Sequence, residues 1–405
     1  MKPRILFVDD EPKVLEGLRR MLRDMRHEWD MVFVTSGGEA LEVLAQSPFN
    51  VVVSDMRMPK MDGIQLLTEV RKRHPEAARI ILSGQSEKAA ILKSIGPTHQ
   101  FLAKPCDAER LRSTLGRACA VSGFLSSEAV KRLVSQLDSL PSLPSLYIEM
   151  MEELESSTAS MARVGRIISK DIGMTAKILQ CVNSAFFGLQ QHISNPVQAA
   201  MLLGLDTIKA LVLSVHIFSQ IDPNKLGEFR LDRLWNHSMN TAVFAREIAK
   251  AECRDRKLID DAFIAGLLHD AGKLLLVTKF PQEYKRALDL AMQENVCAYV
   301  SEREILGTTH GEIGGYLLGL WGLDDSAVGA VFFHHVPQKY HALEFTALTA
   351  VHVANVLEAR THATNVVGTL PDIDTDYLAE IGKADRVTAW AEICSEISEN
   401  GEQNE

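Results

Sequence analysis

Five polar residues stand where short apolar runs end in the first third of the chain, and their types suit phosphoryl transfer. Asp9 and Asp10 follow Ile5–Val8, Asp55 follows Val51–Ser54, Ser83 closes Ile80–Ser83, and Lys104 follows Phe101–Ala103. Three carboxylates gathered at one edge repel one another unless a cation sits among them, and a partly hydrated, oxygen-only ligand set is what Mg²⁺ takes. With Mg²⁺ and the Lys104 ammonium neutralising charge, the Asp55 carboxylate can attack a phosphoryl group to give an aspartyl phosphate, while Ser83 offers a hydroxyl to a phosphoryl oxygen. Any one of the five is an ordinary loop residue. Together they make a constellation, provided that one crevice collects them.

A second set is built on histidine. His237 is read in the first turn of a helix, His269-Asp270 ends an apolar helix, His310 opens another, and His334-His335 closes a third. Neutral imidazoles with a bridging carboxylate suit Mn, Fe, Zn or Ni, and Asp270 can bridge two ions. Histidines at helix ends also serve as caps or satisfied core groups, so the adjacent pairs carry the signal. His192, His216, His341, His352 and His362 lack this arrangement and read as surface or core residues.

The elements that must position these residues differ between the two sets. Residues 4–117 alternate apolar runs with helical periodicities five times, which implies a doubly wound parallel sheet whose ligand crevice lies at the carboxyl ends of the strands. After a helix candidate, Ser126–Leu137, the prolines of Leu140-Pro141-Ser142-Leu143-Pro144 mark a boundary near 138–145. From Tyr147 to about Leu357 the pattern is helical almost throughout, and a single all-α domain is expected there. The divisions expected are therefore 1–122, a helical linker 123–145, a helical domain 146–359, and an extension 360–405. In that extension Val387, Trp390, Ala391, Cys394 and Ile397 form a docking stripe, and Ser398–Glu405 is an acidic tail expected to be disordered.

The strand-end residues of 4–117 resemble a response-regulator receiver domain, a five-stranded flavodoxin-like fold. The resemblance implies Asp9 and Asp10 as the acidic metal pair, Asp55 as phosphoacceptor, and a backbone carbonyl of Met56 on the Mg²⁺. It further implies Ser83 as the switch hydroxyl, Lys104-Pro105 as the phosphate-sensing pair and Phe101 in the place of the rotating aromatic. A sensor histidine kinase is the implied phosphodonor partner. The face carrying Ser86–Ser94 and Asp107–Cys119 would be the readout, and a homodimer through it is a further expectation.

Trp235-Asn236-His237, His269-Asp270-Ala271-Gly272-Lys273, His310-Gly311-Glu312-Ile313-Gly314 and His334-His335 resemble the HD superfamily of metal-dependent phosphohydrolases. Leu140–Pro144 and Ile178–Gly188 look specifically like its HDOD branch, a relative of the HD-GYP cyclic di-GMP phosphodiesterases that usually signals without demonstrated catalysis. The resemblance implies His237, His269, Asp270, His310, His334 and His335 as ligands and Lys273 as the residue that meets a phosphate. Two departures weigh against turnover. Val336-Pro337-Gln338-Lys339-Tyr340 stands where a Gly-Tyr-Pro loop would follow, and Asn355 stands where a final metal aspartate is expected. Three readings stay open: a metal-binding, non-hydrolytic module that engages a protein partner, a phosphorylation-gated phosphohydrolase, and structural histidines without metal.

Composition excludes other classes. Lys+Arg is 43 against Asp+Glu 53, a net charge of −10, which disfavours direct nucleic-acid or anionic-lipid partners. No stretch approaches the ~20 apolar residues of a membrane helix. The six cysteines are scattered singly and read as reduced thiols, so a cytoplasmic location is expected.

Overall fold

The computed structural model describes residues 2–84, 98–104, 106, 108–124, 145–154, 160–182, 193–219, 229–361 and 368–402. They divide into two compact units, Met1–Leu143 with Tyr316–Leu323 and Pro144–Gly315 with Asp324–Glu405. The expected helices at 86–94 and 126–137, the stretch 140–144, and residues 183–188 of the second motif lie outside the described residues, as do Pro105 and the side chains of Ser83 and Phe101.

The first unit is a five-stranded parallel sheet. Its strands are β1 (Arg4–Val8), β2 (Asp30–Val34), β3 (Val51–Asp55), β4 (Ala78–Gly84) and β5 (Gln100–Lys104), in the order β2-β1-β3-β4-β5. Helices α1 (Pro12–Met21), α2 (Gly37–Gln46), α3 (Gly63–Arg73) and α4 (Ala108–Phe124) accompany them. Ile5, Phe7, Val51, Val53 and Ile80 are fully buried, as expected of inner strands covered on both faces. The strand order reverses between β1 and β3, the switch point where such sheets bind ligands. There the register pairs Val8 with Ser54, so Asp9 and Asp55 leave the sheet side by side.

The second unit is helical among its described residues. It begins with α5 (Ser145–Leu154), α6 (Met161–Ile168), α7 (Ile172–Val182), α8 (Pro196–Leu203) and α9 (Leu205–Ser219). The histidine-bearing part comprises α10 (Leu231–Glu252), α11 (Arg256–Leu268), α12 (Ala271–Lys279), α13 (Pro281–Glu294), α14 (Ala298–Leu306), α15 (His310–Leu320, of which His310–Gly315 belong to this unit), α16 (Asp325–Phe333) and α17 (Ala347–Thr361). Residues 347–359 of α17 are buried on every side, so α17 runs through the interior, packed by α10, α11 and α16. Its polar residues Thr349, His352, Asn355 and Glu358 recur every third position, so each neighbours the next while the series winds half a turn round that buried helix.

The extension folds as α18 (Thr375–Glu380) and α19 (Val387–Glu402). Buried Trp390 and Cys394 seat α19 on the unit, and Glu252 of α10 accepts hydrogen bonds from Lys383 (2.6 Å), Arg386 (2.6 Å) and Trp390 (3.0 Å). The expected disorder from Ser398 is corrected in part, because α19 continues to Glu402 and the Ser398 hydroxyl donates to the Cys394 carbonyl one turn back. Residues 403–405 of the expected tail lie outside the described residues.

Candidate functional site

The crevice at the β1/β3 switch point is organised by Lys104. At the end of β5 its ammonium donates to Asp9 Oδ2 at 2.7 Å and to Asp55 Oδ1 in a second contact. Asp9 also accepts the Glu11 N–H at 2.9 Å, and Asp55 Oδ2 accepts the Arg57 N–H at 2.8 Å. Burial would lower the Lys104 pKa, but the two aspartates outweigh it and hold the pKa above its ordinary value. Lys104 therefore stays cationic beside the expected phosphoacceptor. The Met56 carbonyl accepts the Gly63 N–H at 3.0 Å, which leaves its second lone pair for a cation. Gly63 is required by this approach, since a Cβ there would lie 2.1 Å from the Asp55 carbonyl oxygen. Asp10 is half-buried just past β1. Ser83 and Phe101 fall within β4 and β5.

Six of the expected ligands in the helical unit come together. His237 projects from α10, His269 and Asp270 from the α11–α12 junction, His310 from the first residue of α15, and His334 and His335 from the end of α16. Because α10 begins at Leu231, earlier than the sequence suggested, His237 sits in its second turn rather than its first. His237 Nε2 lies 3.1 Å from His269 Nε2, and Asp270 Oδ2 lies 3.6 and 3.4 Å from those two atoms. His310 Nε2 lies 3.4 Å from His334 Nε2 and 3.0 Å from His335 Nε2, with Asp270 Oδ1 at 3.2 Å. Asp270 thus stands between two sets, His237/His269 and His310/His334/His335. Among the described residues the groups of three whose ligand atoms close to within 4.8 Å are His237/His269/Asp270 and His310/His334/His335.

The other ring nitrogen of four histidines faces an acceptor and must carry the proton. His269 Nδ1 donates to the Gly266 carbonyl and His334 Nδ1 to the Val331 carbonyl, both at 2.7 Å. His310 Nδ1 donates to Glu302 at 2.7 Å and His237 Nδ1 donates to Glu358. With Nδ1 so engaged, the Nε2 edges of the rings face one another. Burial pushes the His269 pKa down to about 4 and holds those of His334 and His335 well below the usual value. His310 goes the other way, since the charge of Glu302 outweighs burial. Lone pairs at such separations repel unless a cation lies among them, and about 2.9–3.4 Å is the distance between neighbouring nitrogens on one metal with ~2.0–2.1 Å bonds. The donor set therefore fits a divalent transition metal.

Lys273 does not stand free for a phosphate; its ammonium donates to Asp270 Oδ2 at 2.7 Å. Asn355 is buried on α17, and one turn further on Glu358 meets His237 and also accepts from Asn240 at 3.1 Å. Glu302 and Glu358 are the supporting carboxylates that sequence reasoning missed. His352 is a satisfied core residue behind the site, donating to the His334 carbonyl at 2.7 Å and accepting the Asp374 N–H at 2.9 Å. Tyr299 stacks on the His335 ring at 4.4 Å between centroids.

Comparison with known proteins agrees with both halves. The family model of the response regulator receiver domain matches residues 5–116, and that of the HDOD domain matches residues 140–337. The chain thus joins a response regulator receiver domain to an HDOD domain. A crystal structure of an HDOD domain protein from Geobacter sulfurreducens has the same fold over 67% of this chain and 97% of its own, at 20% identity and a TM-score of 0.53. An uncharacterized protein of Treponema pallidum (strain Nichols) is 28% identical over 202 residues, 48% of this chain and 38% of that protein. The hydrogenase transcriptional regulatory protein HoxA of Cupriavidus necator is 34% identical over 122 residues, 30% of this chain and 25% of HoxA. The chain thus spans well under half the length of these two curated relatives. No helix among the described residues is long and apolar enough to cross a membrane.

Proposed function

We propose that this chain is a phosphorylation-controlled response regulator whose HDOD domain is a metal-holding module for a protein partner. Asp55 takes the phosphoryl group of a sensor histidine kinase or a small phosphodonor: an Asp55 oxygen–phosphorus bond forms as the donor's bond to phosphorus breaks. The observation that carries this reading is the Lys104 ammonium shared by Asp9 and Asp55 at the sheet's switch point. When Asp55 is modified, Lys104 has a phosphoryl oxygen to meet in place of a carboxylate, a local electrostatic change of the kind that biases a two-state element. Asp9, Asp10 and the Met56 carbonyl would hold Mg²⁺, which supplies charge compensation for the phosphoryl oxygens. His237, His269, Asp270, His310, His334 and His335 would hold the transition metal of the output domain. Treatment with acetyl phosphate and Mg²⁺ followed by intact-mass measurement tests the input half: one phosphoryl group is expected on the native chain and none on Asp55→Asn. Equal modification of both would end this reading.

A second reading, a phosphorylation-gated metal-dependent phosphohydrolase, is favoured by one observation, the position of Asp270 between two histidine sets. Metals held there would supply an activated water and polarise a phosphodiester. Val336–Tyr340 in the place of a Gly-Tyr-Pro loop and Asn355 in the place of an aspartate weigh toward the binding module. Hydrolysis of cyclic dinucleotides or a generic phosphodiester by metal-loaded protein, lost in Asp270→Ala, would turn the assignment to the enzyme.

A further inference from the structure

We propose that the two halves of the histidine cluster are unequal cation sites. The first equivalent of divalent metal goes to His310, His334, His335 and Asp270 Oδ1, and Lys273 keeps the position made by His237, His269 and Asp270 Oδ2 weak. The inference rests on the metal-binding reading above and concerns the order and control of filling.

The two oxygens of Asp270 are treated differently by the fold. Oδ2 already carries the Lys273 ammonium at 2.7 Å, so a metal beside His237 and His269 must share that oxygen with a fixed positive charge or displace it. Oδ1 is buried without a hydrogen-bond partner, although it lies 3.2 Å from His310 Nε2. The His310 Nδ1–H is donated to Glu302, and a cation on Nε2 and Oδ1 would replace whatever proton the charges of Glu302 and Asp270 draw to that edge of the ring. A charged acceptor buried without a partner keeps its full desolvation cost, and a cation removes that cost.

Donor number points the same way. Three imidazole nitrogens close on one another at the first position, with Oδ1 beside His310, whereas the other has two imidazoles and the shared Oδ2. Burial does not separate the two positions, since each has one half-buried histidine, His335 in the first and His237 in the second, beside buried partners. Lys273, which the sequence suggested as a phosphate contact, thereby becomes a tethered competitor for the second metal. A ligand anion that drew its ammonium off Oδ2 would open that position.

Zn²⁺ titrated into the full chain against a chromophoric chelator tests this, with folding checked by circular dichroism. The native chain should show two classes of site at least about tenfold apart in affinity. His335→Ala should remove the tighter class, and His237→Ala should leave it intact while removing the weaker. Lys273→Met should tighten the weaker class about tenfold or more, because an ammonium in direct contact with a ligand oxygen repels the incoming cation. His335, His237 and Lys273 are all only partly buried, so these variants place the least demand on the core. Equal affinities, loss of the tight class in His237→Ala, or no response to Lys273→Met would each overturn the proposal. No Zn²⁺ bound by the native chain would instead overturn the metal-binding reading itself.

Discussion

At the scale of single residues, the two supporting carboxylates set what the histidines can be. Glu302 is fully buried and accepts both the backbone N–H (2.8 Å) and the ring Nδ1–H (2.7 Å) of His310. Truncation to alanine strands two buried donors, and hydrogen bonds to a charged acceptor contribute about 1.5–3 kcal/mol each. Glu302→Ala is therefore expected to lower unfolding free energy by about 3 kcal/mol or more in denaturant titration. Glu302→Gln, which keeps an acceptor, should lose less. A Glu302→Ala chain of native stability would show that His310 is held by something else. These glutamates were not legible in the sequence, whereas the histidines and aspartates were, because His269-Asp270 and His334-His335 are adjacent and strand ends are visible as the ends of apolar runs. Glu302 lies eight residues from His310 and Glu358 lies 121 from His237, distances that only the packing closes. A signal existed for Glu358: it continues the every-third-residue series of Thr349, His352 and Asn355 along a helix that is apolar elsewhere up to Ala359.

At the scale of elements, close backbone approach builds the sites. The first turn of α12 passes the first turn of α15 so closely that a Cβ on Gly272 would stand 2.0 Å from the His310 carbonyl oxygen. Gly272→Ala should shift His310 away from Asp270 and cost about 1–3 kcal/mol, the usual penalty for overpacking, read as a lower denaturation midpoint together with weaker Zn²⁺ binding. Unchanged binding would mean that α12 and α15 yield without moving the site. The docking of α19 was legible from its apolar stripe, but its electrostatic clamp was not, since Glu252 belongs to a helix more than a hundred residues earlier. Burial alone would raise the Glu252 pKa, yet hydrogen bonds from Lys383, Arg386 and Trp390 outweigh it and hold the carboxyl below its ordinary value of 4.5. A depressed folded-state pKa contributes stability that is present above the unfolded value and lost as pH falls through the folded one. Glu252→Gln should therefore be less stable than the native chain by about 1–3 kcal/mol at pH 7. The gap should narrow as pH drops below about 4.5, and a gap independent of pH would exclude the charge as its cause.

At the scale of the whole molecule, two compact units with separate chemistry make coupling a measurable quantity. The alternation of apolar run and helix made the parallel sheet legible, and the change to unbroken helical periodicity made the second unit legible. What phosphorylation does to the second unit was legible in neither, because a coupling free energy is a difference between two states of the chain. Linkage fixes its form: if modification of Asp55 changes the affinity of the output domain for a ligand by some factor, that ligand must change the equilibrium of Asp55 modification by the same factor. Zn²⁺ affinity is therefore expected to differ between the unmodified chain and the chain carrying the phosphoryl mimic beryllofluoride. Beryllofluoride affinity should shift between metal-free and Zn²⁺-loaded protein by the same ratio, and both shifts should vanish in Asp55→Asn. A coupling of 1–3 kcal/mol corresponds to a ratio of roughly 5–150-fold, well within the reach of calorimetry. A ratio of one in both directions would separate the receiver from the metal cluster.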